Sequence, residues 1–144
     1  CSGKVYYDLL EARREKAIDD VAIIRIEQLY PWPRDGIARQ LEQYPNADVV
    51  WCQEEPANMG AWNFLLRRLE YVLEDVAKKG KAPRRPVYVG RASSASPAVG
   101  SLKVHNAEQA RLVDQALSWK TKDLKQPFKH FPEDIETAVR ATDA

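Results

Sequence analysis

Cysteine, histidine and methionine are scarce in this chain, and each shortage removes a class of function. There are two cysteines, Cys1 and Cys52, and two histidines, His105 and His130. Neither pair has the number or spacing of a disulfide framework or a zinc site, so both cysteines read as reduced and structural. The histidines have no nucleophile beside them to activate, and each reads as a surface or capping residue. No apolar run approaches the roughly 18 to 20 residues that span a bilayer, and no secretory signal opens the chain. An excess of one charge is missing too: 22 Lys and Arg against 21 Asp and Glu leave a formal net charge of +1, with the signs interleaved. That balance offers no footprint for nucleic acid or an anionic membrane. Neither partner is expected, nor a metal site, and the expected location is cytoplasmic. The sole methionine is Met59, so Cys1 is not an ordinary translation start. We expect a fragment of a longer protein, cut where a strand hands over to a helix. A lipoprotein is disfavoured, because its lipid-bearing cysteine is normally followed by a flexible tether rather than a helix.

What is present is one domain's worth of core: 144 residues, 44% of them apolar and 30% charged. Ser2 or Gly3 can cap a first helix, with Val5, Tyr6, Leu9 and Leu10 at helical spacing through Ala17. VAIIRI (21–26) is a β-branched run of the kind a doubly covered parallel strand shows. Pro31 and Pro33 stiffen the turn that follows, and Ile37, Leu41 and Tyr44 mark a second helix. DVVWCQ (48–53) reads as a strand. Leu65, Leu66, Leu69, Val72, Leu73 and Val76 then draw a clear amphipathic stripe. KKGKAPRRP (78–86) is a basic connector, by default solvated, with an anionic ligand as the alternative. PVYVG (86–90) is a third strand, RASSASPAVGS a small-residue loop, and residues 104–119 a fourth helix facing inward through Leu112, Val113, Ala116 and Leu117. Strands alternating with helices predict a three-layer αβα domain with a mostly parallel sheet, whose first strand is truncated at the N-terminus. The expected division is a domain over 1–118 and an extension of unclear role over 119–144.

In such sheets the turns after the strands' carboxyl ends line a crevice. Here they carry Glu27 and Gln28, then Gln53, Glu54 and Glu55, then Arg91 with Ser93, Ser94 and Ser96. Adjacent carboxylates usually point apart, and acid/base work needs their pKa values separated. Glu54 and Glu55 therefore read as anchors for neighbouring backbone amides, and no catalytic residue is assigned. The run 91–105 suits a phosphate through backbone amides, hydroxyls and flanking cations. Without a GxGxxG or a P-loop, it is as often mere connection.

CSGKVYYDLLEARR, RIEQLYPWP, WCQEEPANMGAW and YVGRASSASPAVGSLKVHNAEQARLVDQAL, in that order, resemble the C-terminal domain of the first, decarboxylating component of 2-oxoglutarate dehydrogenase. These thiamine-diphosphate-dependent enzymes are transketolase-like, and the resemblance covers residues 1 to 118. It implies a full-length subunit that decarboxylates 2-oxoglutarate on thiamine diphosphate and passes the succinyl group to the lipoyl arm of a partner acyltransferase, in the citric acid cycle. The cofactor and magnesium would be held by upstream domains, and this domain would pack on them and help build a homodimer without catalysing alone. It further implies Glu54, Glu55 and Trp62 as anchors at a domain contact. An acetyl-CoA effector would meet Arg91, Lys103 and His105 with its phosphates, Ser94 and Ser96 lining the loop. The chain departs from the family's GRPASASP at Gly90-Arg91-Ala92-Ser93-Ser94-Ala95-Ser96-Pro97, which frees an amide at Ala92 and loosens the loop. The competing class is a self-standing α/β module for an acyl-CoA, a nucleotide-like ligand or a protein partner.

Overall fold

The computed structural model describes residues 1–119. The expected C-terminal extension, beyond Trp119, and His130 lie outside the described residues. The described chain folds as α1 (Val5–Glu15), α2 (Arg34–Gln43), β1 (Val49–Pro56), α3 (Trp62–Asp75), β2 (Pro86–Arg91) and α4 (Leu102–Ser118). β1 and β2 pair in parallel, Val49 opposite Pro86 through Cys52 opposite Val89, with an irregularity before Pro56 meets Arg91. Pro86 opens its strand, a position where the missing N–H does least damage to a ladder.

Side-chain alternation along the strands sorts the core into two layers. Val50, Cys52 and Val89 join Val5 and Leu9 of α1 and Leu112, Val113 and Leu117 of α4. Val49, Trp51 and Tyr88 join Ile37 and Leu41 of α2 and the stripe Leu65, Leu69, Val72 and Leu73 of α3. The result is helices, sheet, helices: a small α/β domain in three layers. Each fully buried leucine or valine of that stripe contributes about 1.5–3 kcal/mol through removal from water.

The helix ends follow local chemistry. α1 closes with Ala17 at φ 50, while the Ala17 and Ile18 amides donate to Arg14 and Arg13 carbonyls at 3.1 and 3.0 Å, an arrangement usually built around glycine. α2 ends on a borrowed cation. Arg84, from the basic connector, donates to the carbonyls of Tyr44, Ala47 and Leu41 at 2.7, 2.9 and 3.3 Å. One arginine of the expected solvated loop is thus a helix cap reaching in from elsewhere in the chain.

Two strand expectations need correction. β1 runs on to Pro56, so Glu54 and Glu55 belong to the strand, and the turn comes after them. Residues 21–26 enter no ladder with β1 or β2. They pack into the core all the same, Val21 and Ile23 into the α1/α4 layer and Ile26 into the other. A groove of about 700 Å³ lies between them and β1, lined by Val21, Ala22, Ile24, Val50, Cys52 and Trp119 among others.

Candidate functional site

The carboxyl ends of β1 and β2 gather most of the polar residues singled out from the sequence, and they are wired to one another. Arg91, 8% exposed, donates from Nε to Glu108 Oε2 at 2.9 Å and from Nη1 to the Glu54 carbonyl. Its Nη2 donates to Gln109 Oε1 at 3.2 Å and lies 3.4 Å from His105 Nδ1. Gln109 turns its amide the other way, Nε2 donating to Asp8 Oδ2 at 2.7 Å and Glu54 Oε1 at 2.8 Å. Lys4 closes the circuit on the same two carboxylates at 2.6 and 3.0 Å. Those hydrogen bonds hold the Lys4 ammonium above its ordinary pKa. The network ties α1, β1, β2 and α4 together.

Two cations, Lys4 and Arg91, face three carboxylates, Asp8, Glu54 and Glu108. The balance leans acidic, and each guanidinium nitrogen of Arg91 already has a partner. In a partly dry site such charge-assisted bonds are strong because every member is satisfied, and removing one member leaves another bare. This is the chemistry of a clasp. The expected anion-site residues are not gathered by it as a set. His105 sits beside Arg91, but Ser94 and Ser96 belong to a separate exposed loop, where Ser94 exchanges two backbone hydrogen bonds with the Asn58 amide, at 2.9 and 3.0 Å. Ser96 donates its hydroxyl to the Ala98 carbonyl at 2.8 Å. Lys103 is exposed on the first turn of α4.

The expected anchors separate in the same way. Glu54 holds Lys4 and Gln109, whereas the Glu55 side chain is exposed and only its carbonyl is used, by Gln53 and Tyr88. Trp62 is buried against Tyr88, ring centroids 5.5 Å apart. It anchors α3 to the sheet from within, rather than presenting a surface to a neighbouring domain. Glu27 accepts from the distant Gly3 amide at the start of α1, and Gln28 makes a local tie to the Pro31 carbonyl.

Gln53, read only as one of several crevice residues, is the hub of the corner. It is 3% exposed. Its Oε1 accepts from Trp51 Nε1 at 2.9 Å and the Trp62 amide at 3.1 Å. Its Nε2 faces the carbonyls of Glu55, Pro56 and Met59 at 3.2, 3.1 and 2.8 Å. One side chain thereby satisfies the strand end, the turn and the start of α3. The only local signal was a neutral amide between two tryptophans. Tyr88 Oη completes the corner, sharing its proton between the Glu55 and Arg91 carbonyls at 3.0 and 2.8 Å. Burial pushes this phenol's pKa up, so it remains a donor.

Comparison with known proteins places this geometry. The family model described as 2-oxoglutarate dehydrogenase C-terminal matches residues 1–117. Curated relatives include the 2-oxoglutarate dehydrogenase E1 components of Brucella anthropi, Brucella ovis and Brucella melitensis, each 48% identical over 117 residues. The match takes in 81% of this chain and 11% of each relative, so the chain spans about a tenth of their length.

Proposed function

The chain belongs to the 2-oxoglutarate dehydrogenase C-terminal family, and from that premise we propose that it is an assembly domain of an E1 component, an oxidoreductase subunit, and carries no reacting group itself. The full-length subunit would decarboxylate 2-oxoglutarate on thiamine diphosphate, succinylate a lipoyl group of the partner acyltransferase, and work as a homodimer. The observation that carries the assembly role is the clasp: the titratable groups at the carboxyl ends of the strands bind one another instead of converging on an open point. Exposed Val99, Leu102 and Val104 lie on the loop and first turn beside it, a surface suited to contact with the rest of the subunit.

Thiamine diphosphate does not fit here. Arg91 is paired with Glu108 within an acid-rich cluster, and among the described residues no group of three or more His, Cys, Asp or Glu is disposed to hold magnesium. Both belong, on this reading, to the upstream domains, and no step is derived through them. An acetyl-CoA effector would have to draw on Ser94, Ser96, Lys103 and His105, with Arg91 holding the loop's base rather than a phosphate.

The test is the double substitution Glu54→Gln with Glu55→Gln in a full-length subunit. Sedimentation should show a weakened dimer, with turnover per assembled dimer within about twofold of the parent. Loss of turnover in an intact dimer would overturn the assembly reading.

A further inference from the structure

The basic connector between α3 and β2 displays cations that the rest of the domain leaves unanswered. Elsewhere, Lys4, Lys16, Arg25, Arg34, Arg67 and Arg91 each hold a carboxylate. Lys78, Lys79, Lys81 and Arg85 are exposed, and among the described residues none of the four has an ion-pair partner. Asp75, the acid at the end of α3, is already taken by Arg34. The main chain that carries these cations is held at both ends. The Lys81 amide donates to the Lys78 carbonyl at 2.9 Å across a turn with Gly80 at φ 80, a conformation that favours glycine, so three lysines share one turn. Four residues on, Arg84 is fixed to the carbonyls that end α2, and Pro83 and Pro86 fix their own φ angles. The patch therefore needs little main-chain ordering to receive an anionic partner.

Beyond Trp119, in the extension outside the described residues, charge is sorted into blocks. Lys120, Lys122, Lys125 and Lys129 against Asp123 leave +3 over residues 120–130, and Glu133, Asp134, Glu136 and Asp143 against Arg140 leave −3 over residues 131–144. We propose that the acidic block at Glu133, Asp134 and Glu136 docks on the basic connector, setting its carboxylates against Lys78, Lys79, Lys81 and Arg85. Three anions meet four cations, and the charges complement. Reach is ample. Glu133 is 14 residues past Trp119 (133 less 119), a span of up to roughly 46 Å at about 3.3 Å per residue, whereas a domain of this size has a radius of gyration of about 13 Å. The root of the extension is also on the right side, because Trp119 and Arg84 border the same groove. Exposed ion pairs are individually weak and screened by salt. A tethered block, however, meets its partner at an effective concentration on the order of millimolar, which favours this chain's own extension over a free anionic peptide. The extension lies outside the stretch matched by the family, residues 1–117, so the docking is an addition to the shared fold and is independent of the assembly role proposed for the clasp.

The experiment is carbodiimide coupling of the 144-residue chain, which joins a carboxylate to an amine in contact with it, read by peptide mass spectrometry at two protein concentrations and at low and high salt. Couplings of Glu133, Asp134 or Glu136 to Lys78, Lys79 or Lys81 should exceed those to Lys103, exposed on α4, by at least fivefold. They should be independent of concentration and fall at least fivefold in high salt, where the Debye length shrinks to about 3 Å. Arg85→Glu removes no reactive amine and should still cut the couplings at least threefold. Exchanging the charges in full, with Lys at 133, 134 and 136 and Glu at 78, 79, 81 and 85, should restore them with donor and acceptor reversed. The substituted connector side chains are exposed, so the urea midpoint should stay unchanged. Couplings no more frequent than those to Lys103 would overturn the proposal. So would couplings confined to the lysines of residues 120–129, or couplings indifferent to salt or to Arg85→Glu. Couplings that rise with concentration would assign the connector to a second copy and likewise overturn it.

Discussion

At the scale of single residues, the corner after β1 depends on groups whose partners are main-chain atoms. Gln53 turns its two amide hydrogens toward three carbonyls and accepts from the Trp62 amide, and no periodicity reports that, because a backbone partner leaves no mark of its own in the sequence. Glu54 and Glu55 look alike on paper, yet strand alternation sends one into the clasp and the other to solvent. Gly90 shows the same dependence through what it lacks. A Cβ there would lie 2.3 Å from Tyr88 Oη and 2.8 Å from the Gln53 carbonyl oxygen. The phenol can move only by giving up its two carbonyl acceptors, and the backbone oxygen cannot move without the strand. Gly90→Ala should therefore cost about 3 kcal/mol, at the upper end for overpacking, read as a lower urea midpoint with an unchanged slope.

At the scale of elements, the helices were legible and the sheet was less so. The α3 stripe is a local pattern: Leu65, Leu69, Val72 and Leu73 are buried where their spacing placed them, and Leu66 and Val76 are half-buried at its margins. Strand pairing is not local. Residues 21–26 carry every compositional sign of a strand and still lie outside the ladder, because a ladder needs a neighbour, and β-propensity reports burial rather than pairing. The end of β1 was placed too early because Glu54 and Glu55 are polar, although Tyr88 and Arg91 of the neighbouring strand make use of both their carbonyls. α1 offers a test at its terminus. Ala17 occupies a left-handed conformation at φ 50, which costs an L-residue about 1–2 kcal/mol. Glycine relieves that strain and gives back part of the gain through a freer unfolded chain. Ala17→Gly should raise stability by about 0.5–1 kcal/mol in thermal or urea unfolding.

At the scale of the whole molecule, the two apolar layers lie on either side of a sheet whose β1 borders the groove. Cys52, lining the same groove, is buried with its thiol pushed up to about 11 by desolvation, and only a thiolate in contact with solvent attacks an alkylating reagent. Its modification must wait for the layers to part, which makes Cys52 a chemical clock for how often this side of the molecule breathes.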